Sequence, residues 1–279
     1  LKNKNSILHF FLPESYLIGG LAGTLANHKR MIMSRRSLNN YQNQKCDFIK
    51  FIEYKLHKKM SLILGNSEEV VRQLHEFENV PKQKLRLLYN GIDSNIFKKN
   101  KKTKPFFKTK HDKVFLTVLA NLIPYKGHED LLNSCMKLAS KKWNLLIVGE
   151  DRKGFKRKLQ KFVKFNKLTH KVKFLGYQSD IRPILEITDI GILPSHEEGF
   201  SNALLEYMSF SLPIIATNVG GNREVVIDGY NGIIVEPRNV NELTKGIDYL
   251  IKHKEKRKLF GKRSYKLVNS RFSLSKMVK

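Results

Sequence analysis

The sequence predicts an α/β protein built from parallel sheets flanked by helices, and two observations carry that prediction. Residues 190–226 run apolar strand, Gly-containing loop, helix, and then repeat the series, the pattern of a parallel sheet. Short apolar runs alternating with helical patterns also recur on both sides of a Lys-rich stretch at 98–113. With 279 residues the chain has room for two ordinary domains. The expected division is residues 1–106, a first domain plus linker, and residues 107–279, a second domain.

The elements follow in order. Apolar runs give strands at 7–12, 30–33, 61–65 and 85–89, with helices at 16–27, 47–59 and 68–77 between them. Phe48, Ile52, Leu56 and Met60 share one face of the second helix, and Asn66-Ser67-Glu68-Glu69 is an N-cap signal for the third. After the Lys-rich stretch come a strand at 114–120, a helix at 129–140 and a strand at 144–149. Residues 152–173 hold ten basic residues, while Phe155, Leu159, Phe162 and Val163 fall on one face. That helix either covers a sheet with its outer face in water or lies on a membrane surface. A strand at 172–176, a short helix at 180–188 and the central 190–226 stretch follow, then a strand at 233–235 and a long basic helical end.

The central stretch carries the chemistry. Glu198 and Glu206 flank a helix start at Ser201-Asn202, with seven residues between the two acids. On a continuous helix that separation rises about 12 Å, beyond the roughly 5–9.5 Å of a glycosidase pair. Two such acids suit different parts of one extended ligand. A helix N-terminus between them offers N–H groups to a phosphate, and carboxylates accept from sugar hydroxyls. At 121–128, Asn-Leu-Ile-Pro-Tyr-Lys-Gly-His joins a strand to a helix, so Lys126-Gly127 is a second phosphate seat.

The run Glu198-Gly199-Phe200-Ser201-Asn202-Ala203-Leu204-Leu205-Glu206, followed by Pro213–Thr217 and Gly220-Gly221-Asn222-Arg223-Glu224, resembles glycosyltransferase family 4. These are retaining enzymes of the GT-B fold, with two Rossmann-like domains. Asn66-Ser67-Glu68 and Asn90-Gly91-Ile92-Asp93 resemble the same family. The resemblance implies a sugar moved from a nucleotide-diphosphate sugar to an acceptor, such as a lipid-linked or envelope polysaccharide, without metal or other cofactor. It implies Glu198 at the donor sugar, Lys126 at the diphosphate and Glu206 at the ribose hydroxyls, the first two being catalytic. Asn121 and Gly127 would stand beside Lys126, Gly176 under the base, and Gly199, Phe200, Ser201 and Asn202 along the phosphates, with Leu204 a further substrate-binding residue. Gly220, Gly221 and Glu224 would complete the donor contacts. The sequence departs from the family in two places. Ser34-Arg35-Arg36 stands where relatives often place a His, and no opening strand with a Gly-rich loop precedes Ile7. The first domain is therefore expected to be incomplete and the chain a fragment.

Composition narrows the partners. The net charge of +27 comes from 52 basic and 25 acidic residues, and 39 of the basic residues are Lys. Base readout favours Arg, so no sequence-specific nucleic-acid partner is expected. Contact with an anionic membrane is one reading, and genome-wide Lys richness is the other. Two distant cysteines, no signal peptide and no spanning segment suggest a cytoplasmic protein, either free or peripheral at the inner membrane face. The alternatives are a GT-B epimerase or phosphorylase, or a non-catalytic basic binding module.

Overall fold

In the computed structural model, residues 5–39, 46–93, 113–140, 142–152 and 154–278 are described. The division expected at 106/107, and nearly all of the Lys-rich stretch, lie outside them. The chain forms two compact units, one of Leu1–Asn90 with Glu198–Phe200 and one of Gly91–Glu197 with Ser201–Lys279.

The first unit holds β1 (Leu8–Phe11), α1 (Pro13–Leu25), β2 (Met31–Arg35), α2 (Asp47–Lys59), β3 (Leu62–Gly65), α3 (Glu68–Glu76) and β4 (Leu85–Leu87). Its strands pair in the order β1-β2-β3-β4, all parallel. The α3 start is as read from sequence: the Ser67 hydroxyl accepts from Val70 N–H at 3.2 Å, a cap worth about 1 kcal/mol. Phe10, Met31, Met33, Leu56, Ile63 and Leu74 fill the core.

Strand alternation puts Arg35 on the same inward face as Met31 and Met33. It is buried. Its guanidinium grips both carboxylate oxygens of Glu78 at 2.9 Å and one of Glu53 at 3.0 Å. His57 Nε2 meets Glu78 at 2.8 Å and its Nδ1 meets Tyr16 Oη at 2.7 Å. Facing a carboxylate, which only accepts, Nε2 carries a proton. Burial alone would raise Glu78, but the His57 bond and the Arg35 charge outweigh it and hold the carboxyl at about 2.

The second unit holds β5 (Val114–Leu119), α4 (His128–Lys137), β6 (Trp143–Val148), α5 (Phe155–Phe165), β7 (Val172–Gly176), α6 (Arg182–Ile187), β8 (Ile190–Leu193), α7 (Asn202–Ser209), β9 (Ile214–Thr217), α8 (Asn222–Val225), β10 (Gly232–Val235), α9 (Val240–Lys252), α10 (Lys254–Arg271) and α11 (Leu274–Val278). Its parallel sheet runs β7-β6-β5-β8-β9-β10. The chain winds outward from β5 in one direction through β7, then returns to β8 and winds the other way. This is the doubly wound order, with its topological switch between β5 and β8. Strands β5, β8 and β9 are buried almost throughout, as their continuous apolar runs require.

Helix α5 settles the choice left open for 152–173. Leu159 and Val163 are core residues, with Phe155 and Phe162 packed on them, so the apolar face is spent on the sheet. Among the described residues no helix is long and apolar enough to cross a membrane.

Candidate functional site

The switch point predicts where a ligand would sit, outside the carboxyl ends of β5 and β8. In the second unit three strand-end loops meet there and are tied together. The loop after β5 passes through one tight turn, Pro124–Lys126, into α4. The loop after β8 joins it twice: His196 N–H donates to the Tyr125 carbonyl at 2.7 Å, and His196 Nε2 meets Asp130 Oδ2 at 2.6 Å. The loop after β9 is tied on the other side. Thr217 Oγ1 donates to the Ser195 carbonyl at 2.5 Å, and Asn222 Nδ2 donates to the Thr217 carbonyl at 3.0 Å.

Lys126 stands immediately before the α4 N-terminus, with its Nζ 5.2 Å from the Tyr125 ring centre. Gly127 makes that approach feasible. Its φ of 70° is left-handed, and an added Cβ would lie 1.9 Å from the Pro194 carbonyl oxygen. Both the turn and the contact between the two loops therefore demand glycine. Gly127→Ala is expected to cost about 2–4 kcal/mol by combining backbone strain with a steric clash. Chemical denaturation of the second unit's transition reads that loss.

Glu206 is placed by its neighbour. Tyr207 is fully buried, accepts from Leu119 N–H at 2.7 Å, and has the Thr117 and Ile192 carbonyls at 3.1 and 3.3 Å. One phenol thus fixes α7 to both β5 and β8. Gly191 is the complement on β8, since a Cβ there would come within 2.4 Å of the Tyr207 ring. One residue earlier in the helix, Glu206 is partly buried and has no hydrogen-bond or ion-pair partner among the described residues. Burial raises its carboxyl to about 7. A buried acid with a raised proton affinity near a sheet's switch point is a functional-site candidate.

The other sequence-derived site residues distribute as follows. Asn121 leaves β5 and spends its side-chain oxygen on Glu150 N–H at 3.1 Å. Gly176 ends β7, two strands from β5, at a φ of 70°. Ser201 caps α7 by position but makes no side-chain cap bond, and Asn202 opens the helix. Leu204 is wholly buried, so its side chain belongs to the core. Gly220, at a φ of 49°, and Gly221 lead into the one-turn α8 that carries Glu224. Glu198, Gly199 and Phe200 group with the first unit, where the Phe200 ring is 5.4 Å from that of Tyr89.

Sequence reasoning missed His196, Asp130, Thr217 and Asn222, which lace the loops. The signal available for His196, Thr217 and Asn222 was position, since each falls within a few residues of a strand end, whereas Asp130 lies inside α4. His128 was missed as well. It begins α4 and is fully buried. Burial lowers it to about 4, with the Ala120 carbonyl opposing and the Lys126 charge assisting, so the ring stays neutral beside the lysine.

Residues 99–267 match the family described as Glycosyl transferases group 1. The chain belongs to that family. A glycosyltransferase of Methanocaldococcus jannaschii, MJ1178, is 30% identical over 80% of this chain and 64% of its own length. The capsular polysaccharide biosynthesis glycosyltransferase CapM of Staphylococcus aureus is 25% identical over 98% of this chain and 74% of its own. Among solved structures, Anabaena Alr3699/HepE in complex with UDP-glucose superimposes with a TM-score of 0.86 at 19% identity, covering 97% of this chain and 76% of that one. The fold of this group 1 glycosyltransferase is accordingly GT-B, two parallel-sheet α/β domains flanked by helices. The chain spans 64% and 41% of the lengths of two of its curated relatives.

Proposed function

We propose that the chain is the nucleotide-sugar-binding part of a retaining, family 4 hexosyltransferase acting on a polysaccharide or lipid-linked acceptor in the cytoplasm. The observation that carries this is the partnerless, partly buried Glu206 on α7, the helix that Tyr207 ties to β5 and β8, the two strands at the switch point. A ribose diol donates two hydrogen bonds to a carboxylate, which is the compensation Glu206 lacks. Lys126 and the α4 amides suit the diphosphate. In transfer, the bond from the sugar C1 to the β-phosphate oxygen breaks and its electron pair stays on the phosphate. The acceptor oxygen bonds to C1 on the same face and gives up its proton. Lys126 and the amides stabilise the charge that builds on the leaving phosphate, so no metal is required. Glu198 would hold the donor sugar. CapM's place in capsular polysaccharide synthesis supports the acceptor class.

Glu206→Gln tests the reading. Titrated with UDP, the variant is expected to bind about 10–100-fold more weakly, the loss of hydrogen bonds to a charged acceptor. In the parent protein, UDP affinity should rise as pH passes up through about 7, because the diol favours the ionised carboxylate. Equal affinity in parent and variant would remove Glu206 from the site. The same substitution should stabilise the free protein. A carboxyl raised from 4.5 to about 7 lowers stability progressively as pH climbs between those values. At pH 8 the Gln variant should gain on the order of 1–3 kcal/mol, and below pH 4.5 it should gain nothing.

A further inference from the structure

We propose that His196 and Asp130 are a positioning pair for the transfer reaction, their bond fixing Lys126 where its ammonium meets the β-phosphate of the donor. This deepens the transferase reading and rests on it.

The turn that carries Lys126 closes on itself. Lys126 N–H donates to the Ile123 carbonyl at 3.1 Å, and Gly127 N–H to that of Pro124 at 3.2 Å. Those bonds set the shape of the turn but not its place over the sheet. The start of the loop is tied to the end of β6, where Asn121 Oδ1 accepts from Glu150 N–H and Leu122 N–H donates to the Glu150 carbonyl at 2.8 Å. Lys126 lies beyond those ties. On both sides of it the bonds go to one residue of the loop after β8. The Tyr125 carbonyl accepts from His196 N–H, and Asp130 Oδ2 accepts from His196 Nε2. Between the two, Gly127 rests against the Pro194 carbonyl. His196 therefore brackets Lys126, and its neighbour Ser195 is anchored in turn by Thr217.

One side of the bracket is a side-chain pair. Asp130 stands in the first turn of α4, and because a carboxylate only accepts, His196 Nε2 carries the proton. Among the described residues neither side chain has another hydrogen-bond or ion-pair partner. The two are 18% and 21% exposed, and a pair that open to water adds little to stability. What it supplies is place. Lysine is a point charge on a flexible stem, so its aim at a phosphate depends on where its backbone stands. A misplacement of about 1 Å can cost on the order of 10²-fold in such a site.

The test compares UDP with UMP, which lacks the β-phosphate, in calorimetric titrations of the whole chain. Lys126→Ala should lower the preference for UDP over UMP. His196→Ala and Asp130→Ala should each lower it about three- to tenfold, with UMP affinity held within about twofold and the urea midpoint nearly unmoved. His196→Gln presents an N–H near the place of Nε2, and Asp130→Asn keeps an acceptor oxygen, so both should restore most of the preference. In a Lys126→Ala background neither Ala substitution should cost more, because the pair acts through the lysine. Should His196→Ala fail to fold, Asp130→Ala carries the test. An unchanged preference in the Ala variants overturns the positioning role alone. Parallel losses of UDP and UMP do the same, as does a full further loss in the Lys126→Ala background. A parent that does not bind UDP, or a Lys126→Ala variant with the parent's preference, overturns the donor reading and this inference with it.

Discussion

Lys126→Ala is expected to lower kcat about 10²–10³-fold, the scale set by removing one preorganised charge from a developing oxyanion. The effect should fall mainly on kcat. In the proposed transfer, charge on the leaving phosphate grows as the C1–oxygen bond breaks, so a lysine at that phosphate contributes more in the transition state than in the bound donor. Lys126→Arg should restore part of the rate, because the charge returns on a bulkier, planar group. UDP release measured at saturating donor and acceptor reads both variants. A kcat within threefold of the parent for Lys126→Ala would show that the lysine is not at the phosphate. The neutral His128 helps to define this site. A second cation buried beside Lys126 would repel it, whereas the neutral ring leaves the lysine's field for the ligand.

Arg35→Met should destabilise the first unit by about 3–5 kcal/mol. The guanidinium makes three bonds to Glu53 and Glu78, both sealed from water. Its removal strands two carboxylates in the core, a far larger penalty than loss of a surface pair. In denaturant the transition of the first unit should move to lower concentration while that of the second stays in place. The acid limb provides an independent check. Glu78, held at about 2 against an ordinary 4.5, contributes stability that is complete above pH 4.5 and is lost as pH falls toward 2. Arg35→Met should flatten that limb. An acid profile identical to the parent's would mean that the ion cluster does not govern it.

The strands and helices were legible because burial imposes a pattern. Continuous apolar runs marked β5, β8 and β9, Ser67 marked α3, and glycine after lysine marked the loop before α4. The two acids of the central stretch could be singled out too, since acids beside strand ends are conspicuous. What remained hidden were roles decided by partners far along the chain. Arg35 reads as half of a basic pair until alternation turns it inward to meet Glu78, 43 residues away. Asp130 and His196 lie 66 residues apart and say nothing about each other in one dimension. Glu206 was marked by its motif, but its raised proton affinity comes from the packing of α7, which no local pattern encodes.

The outer side of β1 has a further consequence. Among the described residues β1 pairs with β2 alone, and Ile7, Phe11 and Leu12, in it or next to it in sequence, are 60%, 45% and 68% exposed. Its free row of amides and carbonyls, beside greasy side chains and without a lysine or proline inside the strand, is a template on which another chain can crystallise its own backbone. Preparations of this chain should therefore grow into larger assemblies as they are concentrated, by sheet continuation and independently of any sugar chemistry.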